Sequence, residues 1–150
     1  MTLEESIQQI LGEKGVAFEV LPHESVYTNP AMAAALGVSE SETVKSLVLK
    51  TREGDMIVMV LPGDRKVDWK QVAHAAGSRK VSFAKPEEVL ENVGCDVGCV
   101  PPFGHFSPMG IYMDRALVET PCIYFNPGVH DKSYRIPGQA LDELCTPVYV

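Results

Sequence analysis

One lysine shares an apolar face of a predicted strand. In Val44–Leu49, the alternation of side chains along a β-strand places Lys45 on the same face as Leu47 and Leu49. Burying an ammonium group is unfavourable unless it finds a partner, so Lys45 is a candidate functional residue. The alternative is that Lys45 lies at the end of the strand and extends its charge into water.

A second candidate is the loop Gly94–Gly104, in which glycines alternate with apolar residues and a Pro101-Pro102 pair. Glycine lets a backbone approach a ligand closely, and proline stiffens the loop that carries it. Such loops bind phosphate, ribose or an oxyanion. A tight corner of a barrel is the alternative explanation. The spacing does not match a dinucleotide-binding or Walker fingerprint.

The third candidate is Asn126–Asp131, a predicted turn that carries amide, imidazole and carboxylate groups. His130 in this turn has two possible functions, proton transfer or orientation of a substrate. An ordinary histidine in a surface turn is the alternative.

The four cysteines are Cys95, Cys99, Cys122 and Cys145. Structural zinc sites use paired knuckles with short gaps, and only one such pair is present, so the spacing argues against zinc. A cysteine–histidine nucleophile pair is another possibility, but no cysteine is predicted at a helix N-terminus beside a base. The remaining interpretation is that the four cysteines are small apolar residues that fill a hydrophobic core.

The chain has 150 residues, the size of one domain, and its 45% apolar and 22% charged residues are ordinary for a globular protein. The longest apolar run, Met56–Leu61, is far shorter than the ~20 residues that span a membrane. The N-terminus is acidic, unlike a signal peptide. We therefore expect a cytoplasmic protein with free thiols and no membrane partner.

The net charge of −7 argues against a protein that coats a polyanion such as DNA. Residues 41–90 reverse this balance, with nine Lys and Arg against seven Asp and Glu, and they include Lys45. An ordinary solvated face is one explanation of this segment. A small basic site that contacts only a few phosphates is the other.

Apolar periodicity and end signals predict five helices. Asn29-Pro30 is interpreted as the cap and first turn of the second helix. The predicted helices span Leu3–Lys14, Asn29–Leu36, Asp68–Ala76, Glu87–Asn92 and Gln139–Leu144.

Eight short segments have the pattern of strands, and the second and third of them are predicted to form a hairpin through residues 52–55. The third strand is apolar on both faces and is expected to be central. Because strands and helices do not alternate regularly, we expect one compact α+β domain with a mixed, barrel-like β-sheet and surrounding helices. The predicted strands span Val16–Leu21, Val44–Thr51, Met56–Leu61, Lys80–Phe83, Ile111–Asp114, Cys122–Phe125, Tyr134–Ile136 and Val148–Val150.

Taken together, these segments resemble the YbaK family of aminoacyl-tRNA deacylases. This family includes free-standing, ProX-like editing proteins and the editing insertion domain of bacterial prolyl-tRNA synthetases. The resemblance covers nearly the whole chain. It rests on Lys45 in its strand, on the Gly94–Gly104 loop, and on the strand Ile123–Phe125 that runs into Asn126-Pro127-Gly128.

The resemblance implies that residues 1–150 form an editing domain that hydrolyses the ester between an amino acid and the terminal ribose of a mischarged tRNA. It implies that Lys45 contacts the acceptor end and is needed for activity, and that His130 matches a histidine of the alanine-editing branch. The resemblance also implies that no covalent nucleophile is used and that a ribose hydroxyl of the tRNA assists a water, and we expect no metal or cofactor. An aminoacyl ester is already reactive, so positioning, a cation and backbone donors can supply the acceleration. The residues implied to bind the substrate are Ser46, Gly98, Pro101, Pro102, Phe103, Gly104, Asn126 and Gly128.

Two positions depart from the pattern of several relatives. Asn126 stands where a serine or another small residue is found, and Ser133 lies near the position of a missing acidic residue. These departures argue against cysteinyl-tRNA(Pro) and favour a small amino acid, such as that of alanyl-tRNA(Pro). The expected partners are the tRNA acceptor end and an aminoacyl-tRNA synthetase. The alternatives are a non-catalytic acceptor-end sensor or a nucleotide-binding module associated with a synthetase.

Overall fold

The helices begin where the sequence supplies a capping side chain. Thr2 and Glu5 form a reciprocal capping box at the first helix, and the Asp68 carboxylate accepts a hydrogen bond of 3.1 Å from the Gln71 amide at the third. The computed structural model describes residues 1–150. Its six α-helices are α1 (Leu3–Glu13), α2 (Asn29–Leu36), α3 (Trp69–Ala75), α4 (Pro86–Val93), α5 (Ala116–Glu119) and α6 (Ala140–Cys145).

Eight strands form two sheets. A three-stranded antiparallel sheet has the order β1-β7-β6, and a five-stranded mixed sheet has the order β4-β2-β3-β5-β8. In the larger sheet, β2 pairs antiparallel with β3, whereas β3 pairs parallel with β5. The strands are β1 (Glu19–Pro22), β2 (Val44–Thr51), β3 (Met56–Pro62), β4 (Val81–Phe83), β5 (Gly110–Met113), β6 (Cys122–Phe125), β7 (Lys132–Pro137) and β8 (Val148–Tyr149).

The larger sheet is covered on both faces, which explains why β3 is apolar throughout. One face contributes to a cluster of 22 buried residues that also includes side chains of α1, α4, β6 and β7. The other face packs against α3 in a second cluster of seven buried residues, with Leu47 at its margin. Strands buried on both faces lose the polar–apolar alternation of a half-exposed strand.

The predicted α+β class, the β2–β3 hairpin and the central position of β3 are all confirmed. The sheets do not close into a barrel. A single parallel bridge between Thr43 and Tyr124 joins them, immediately before β2 begins. None of the helices has both the length and the apolar character needed to cross a membrane.

Two details of the predicted helices are wrong. The cap of α2 is Thr28, whose hydroxyl accepts a hydrogen bond of 3.2 Å from the Ala31 amide, and Asn29 is already helical. The four-residue helix α5 was not predicted, because one turn is too short to show an apolar period. The cysteines are unpaired, and Cys95, Cys99 and Cys145 fill the larger core.

Candidate active site

A cavity of about 180 Å³ opens beside the first residues of β2, close to the bridge that joins the two sheets. Four separate segments of the chain form its walls. It brings together four of the residues predicted to act on the substrate: Lys45, Ser46, Gly98 and Asn126. The other lining residues are Val26, Tyr27, Thr28, Asn29, Met32, Val44, Leu47, Val97 and Val100.

The Lys45 side chain is only partly buried, and its ammonium donates a hydrogen bond to the backbone carbonyl of Arg65. The Arg65 guanidinium in turn donates to the Asp114 carboxylate at 2.7 Å. Burial lowers the pKa of Lys45, and the nearby carboxylate of Asp64 opposes that shift. The lysine therefore lies at the end of its apolar face, as the alternative interpretation expected, but it also lines a cavity.

Ser46 is buried, with 6% of its surface exposed, and its hydroxyl has no hydrogen-bond partner within the protein. Leaving a buried hydroxyl unpaired costs about 1–3 kcal/mol, so such groups are rare in native proteins and point to a partner such as a bound water or a ligand. Because Ser46 lines the cavity, a ligand there can supply the missing partner.

Two asparagines contribute amide groups to the cavity wall. The Asn29 side-chain NH₂ donates to the Thr43 hydroxyl at 3.0 Å and to the Val44 carbonyl at 3.2 Å, so it holds α2 against the start of β2. The Asn126 side-chain oxygen accepts from the Gly128 amide at 2.9 Å. Sequence reasoning missed Asn29 as a lining residue, because its partners are 14 and 15 positions away in the chain.

Within the glycine–proline loop, Gly98 approaches the cavity on a short 3-10 turn, Val97–Cys99. A Cβ atom at Gly98 would lie 3.3 Å from the Tyr27 carbonyl oxygen and 3.5 Å from Cε1 of His130. The first of these distances is tighter than most real Cβ contacts. Glycine therefore lets this turn pack against the opposite wall.

The rest of the predicted loop site lies outside the cavity lining. Phe103 is buried in the larger core, with its ring centroid 5.4 Å from that of Phe125. The Pro101 carbonyl accepts a hydrogen bond of 2.7 Å from the His105 ring, and the Pro102 carbonyl accepts one of 3.4 Å from the Cys145 thiol. These contacts hold the loop in shape.

Two further predicted glycines pack against α1 and not against the cavity. Gly104 adopts a positive φ of 81°, and an added Cβ would lie 3.1 Å from Ile7. Gly128, with φ of 100°, lies against Leu3. Both conformations strain any residue with a side chain, so both positions have a clear structural function.

His130 lies behind the cavity wall and is not part of its lining. Its Nδ1 is 3.1 Å from the Val26 carbonyl oxygen, and its Nε2 is 3.3 Å from a carboxylate oxygen of Asp96. The Tyr27 ring packs on it with a centroid separation of 4.4 Å. Both ring nitrogens are engaged within the protein, so the geometry favours orientation of neighbouring groups over proton transfer.

A second, more apolar groove of about 350 Å³ adjoins the cavity and shares part of its wall, including Gly98. At its edge the Phe83 side chain is 60% exposed, and its ring meets that of Trp69 edge-on, with centroids 5.0 Å apart. An exposed aromatic ring next to an apolar groove is suited to stacking on a flat ligand. The residues shared by both spaces are Leu47, Val97, Gly98 and Val100.

Comparisons with known proteins converge on one family. Residues 23–144 match the aminoacyl-tRNA editing domain. The chain is 32% identical over 128 residues to the multifunctional Ser/Thr-tRNA deacylase ProXp-y of Escherichia coli strain K12, covering 83% of this chain and 77% of that protein. It is also 32% identical over 99 residues to a proline–tRNA ligase of Thermosipho melanesiensis, of which it covers only 17%.

Solved structures agree with these sequence matches. The structure of a candidate trans-editing enzyme for prolyl tRNA synthetase superimposes with a TM-score of 0.85 at 26% identity. That superposition covers 100% of this chain and 96% of the other chain.

Proposed function

The chain belongs to the aminoacyl-tRNA editing domain family, and on that premise we propose that it hydrolyses the ester bond of mischarged aminoacyl-tRNAs that carry a small amino acid. The observation that carries this proposal is the buried, unpartnered Ser46 hydroxyl beside Lys45 in one cavity. The Ser46 hydroxyl has no hydrogen-bond partner in the protein, and the adjacent residue Lys45 carries a positive charge. Together they suit an ester that is flanked by a ribose and a phosphate.

The size of the cavity limits what enters it. Pockets for drug-sized ligands measure roughly 300–1,000 Å³, whereas this cavity measures about 180 Å³. It has room for an aminoacyl group and not for a whole nucleoside. Met32 and Val44 are among its apolar lining residues, and the small volume disfavours bulky amino acids.

The adjoining groove is the proposed binding place of the terminal nucleoside. It is apolar, it shares Gly98 with the cavity, and Phe83 stands exposed at its edge. Stacking of a base on an aromatic side chain contributes about 1–3 kcal/mol and tolerates any base. The ester is then held between the two spaces, within reach of the Lys45 ammonium.

In the proposed reaction, the oxygen of a water molecule bonds to the ester carbonyl carbon, and the bond between that carbon and the ribose oxygen breaks. The ribose oxygen takes up a proton, and the products are a free amino acid and an intact tRNA. Lys45 holds the phosphate or ribose, and Ser46 fixes the aminoacyl group for attack. The resemblance assigns assistance of the water to a ribose hydroxyl, so no side chain of the protein has to act as a nucleophile.

The remaining predicted site residues are assigned positioning roles. His130 orients Tyr27 and the Gly98 turn from behind the wall. Pro101, Pro102, Phe103, Gly104 and Gly128 set the shape of the loops that carry the lining residues.

The Ser46 hydroxyl in the cavity wall favours an amino acid that itself carries a hydroxyl group. A seryl or threonyl side chain can form an additional hydrogen bond with the Ser46 hydroxyl, which the side chain of an alanyl group cannot. One relative is named a Ser/Thr-tRNA deacylase. We therefore propose seryl- and threonyl-tRNA as the preferred substrates, with alanyl-tRNA(Pro) as the competing expectation from the family resemblance.

The experiment is a deacylation panel with the purified chain and seryl-, threonyl-, alanyl- and cysteinyl-tRNAs, with Lys45→Ala as the inactive control. We expect hydrolysis of the small amino acids and loss of that hydrolysis in Lys45→Ala. A panel left intact at high protein concentration overturns the proposal. Binding of these tRNAs without turnover would instead identify a non-catalytic acceptor-end module.

A further inference from the structure

A cluster of three potential metal ligands lies outside the cavity lining, where two loops meet. One oxygen of Asp96, the sulfur of Cys99 and one ring nitrogen of His130 all lie within 4.8 Å of one another. The sequence separates these residues by up to 34 positions, so spacing alone gave no sign of the cluster. Imidazole, thiolate and carboxylate are the three ligand types that zinc uses in proteins.

The first two ligands come from one tight turn. The Cys99 amide donates a hydrogen bond of 3.1 Å to the Asp96 carbonyl, which fixes the 3-10 turn between them. Cys99 is buried, with 2% of its surface exposed, whereas the Asp96 side chain is 78% exposed. The turn therefore offers one ligand from the interior and one from the surface.

The orientation of the third ligand is set by a backbone group. The Val26 carbonyl can only accept a hydrogen bond, so the Nδ1 of His130, at 3.1 Å, carries the hydrogen. In the neutral ring this leaves Nε2 with a lone pair, and Nε2 points at an Asp96 carboxylate oxygen 3.3 Å away. Metal-binding histidines are held in this way by a carbonyl on the opposite nitrogen. Two acceptors that face each other at this distance require a cation between them, either a proton or a metal ion.

The separation of two of the three ligand atoms matches that in a coordinated ion, and the Cys99 sulfur lies within 4.8 Å of both. Nitrogen and oxygen ligands about 2.0–2.1 Å from a tetrahedral zinc ion are separated by about 3.3 Å, and the observed separation of Nε2 and the carboxylate oxygen is 3.3 Å. We propose that Asp96, Cys99 and His130 bind a zinc-class divalent cation, with the fourth position open to water. No step of the proposed editing reaction passes through this ion.

A metal ion there would connect two walls of the cavity. Gly98 lies within the Asp96–Cys99 turn and lines the cavity, and the Val26 carbonyl that holds His130 belongs to another lining residue. The ion would cross-link these segments and fix the position of Gly98.

The test uses Co²⁺ as a spectroscopic probe, added to the full chain after treatment with a chelator. We expect a cobalt–thiolate charge-transfer band that saturates at one equivalent and is removed by Zn²⁺. Cys99→Ser should abolish the band, and Asp96→Asn, at an exposed position, should weaken Co²⁺ affinity by at least about tenfold. Cys122→Ser, which removes a thiol outside the cluster, should leave both unchanged.

Three outcomes would overturn the proposal: no charge-transfer band in the wild-type chain, a band that survives in Cys99→Ser, or an equal loss in Cys122→Ser. If addition of Co²⁺ left the absorption spectrum unaltered and NMR of the His130 ring showed it to be protonated, the cation between Nε2 and Asp96 would be a proton. None of these readouts involves tRNA, so failure here leaves the editing proposal standing.

Discussion

The ammonium of Lys45 donates a hydrogen bond to the backbone carbonyl of Arg65, a residue on the segment that follows the neighbouring strand. A carbonyl directs the ammonium without neutralising its charge, as a carboxylate would. The Arg65 side chain is already paired with Asp114 at 2.7 Å and does not compete for the anion that Lys45 meets. Lys45 thus combines a fixed position with a charge that no carboxylate pairs with directly, although Asp64 lies near enough to oppose the lowering of its pKa.

We expect Lys45→Ala to lower kcat/KM for deacylation by about 100-fold or more, because the substitution removes the cation that we propose holds the phosphate or ribose in position for the reaction. The free energy of unfolding should change by less than about 0.5 kcal/mol, since the side chain is only partly buried. Steady-state kinetics and thermal denaturation measure the two effects. Lys66→Ala, at an exposed lysine nearby, is the matched control and should retain activity. Equal losses in both variants would contradict a specific role for Lys45.

Ser46→Ala tests the unpaired hydroxyl. We expect kcat/KM for seryl-tRNA to fall by about tenfold, which corresponds to the loss of one hydrogen bond to the substrate. The free energy of unfolding should stay the same or rise, because a buried group without a hydrogen-bond partner is removed. Ser133→Ala is the matched control, since that buried hydroxyl is bonded to the His23 ring at 2.8 Å. The Ser133→Ala substitution should lower the free energy of unfolding by about 1 kcal/mol and leave catalysis unchanged. Destabilisation by Ser46→Ala without a kinetic effect would show that the hydroxyl serves the fold.

The pH dependence follows from the burial of Lys45. Burial lowers the pKa of Lys45, so its ammonium loses the proton at a lower pH than a free lysine does. Activity should be present below that pKa and should decline as the pH rises through it. Lys45→Arg keeps its charge at alkaline pH, so its remaining activity should not show this decline. Rates are measured after subtraction of spontaneous ester hydrolysis. If the wild type and Lys45→Arg lost activity at the same alkaline pH, a group other than Lys45 would be responsible for the decline.

Phe83→Ala tests the groove beside the cavity. We expect KM for aminoacyl-tRNA to rise several-fold with little change in kcat, because stacking contributes to binding and not to the chemical step. Folding should be unaffected, since the ring is largely exposed. Leu90→Ala, at an exposed leucine that does not line the groove, should behave like the wild type. A fall in kcat with unchanged KM would place the nucleoside elsewhere.

Salt dependence tests the size of the tRNA footprint. The net charge is −7, and residues 41–90, which include Lys45, are the segment with an excess of basic residues. We expect the logarithm of the binding constant to fall against the logarithm of salt concentration with a slope of about −2 to −3, as for a few phosphate contacts. Filter binding at several ionic strengths measures this slope. A slope of about −6 or steeper would mean that much more of the tRNA is contacted.

Local features of the molecule were predictable from the sequence. The β2–β3 hairpin and the face shared by Lys45 and Leu47 follow from alternation along neighbouring residues. The composition of the cavity was only partly predictable. Asn29 was interpreted as a cap because Asn-Pro is a common start of a helix, whereas Thr28 takes that position and frees Asn29 to contact Thr43. Such a choice depends on tertiary contacts that no local pattern contains.

The glycine–proline loop shows the same limit. Its composition fits a ligand-binding loop and a tight corner equally well, and in the structure one part of the loop lines a cavity while another part packs into the core. Gly98 reaches the cavity, whereas Phe103 continues into the core and Gly104 turns against α1. Which residue of a loop faces a cavity depends on the neighbouring elements, and here these include α1, which lies about ninety residues earlier in the chain.

The single bridge between Thr43 and Tyr124 has a consequence for the nascent protein. Lys45 and Ser46 are adjacent in a hairpin that forms from local contacts, but the walls opposite them come from residues 97–100 and 126, which are synthesised much later. Pairings between distant segments form slowly during folding. An unfinished chain therefore carries Lys45 and Ser46 without the walls that complete the cavity, and we expect the ability to discharge tRNA to be acquired only when synthesis and docking of both sheets are complete.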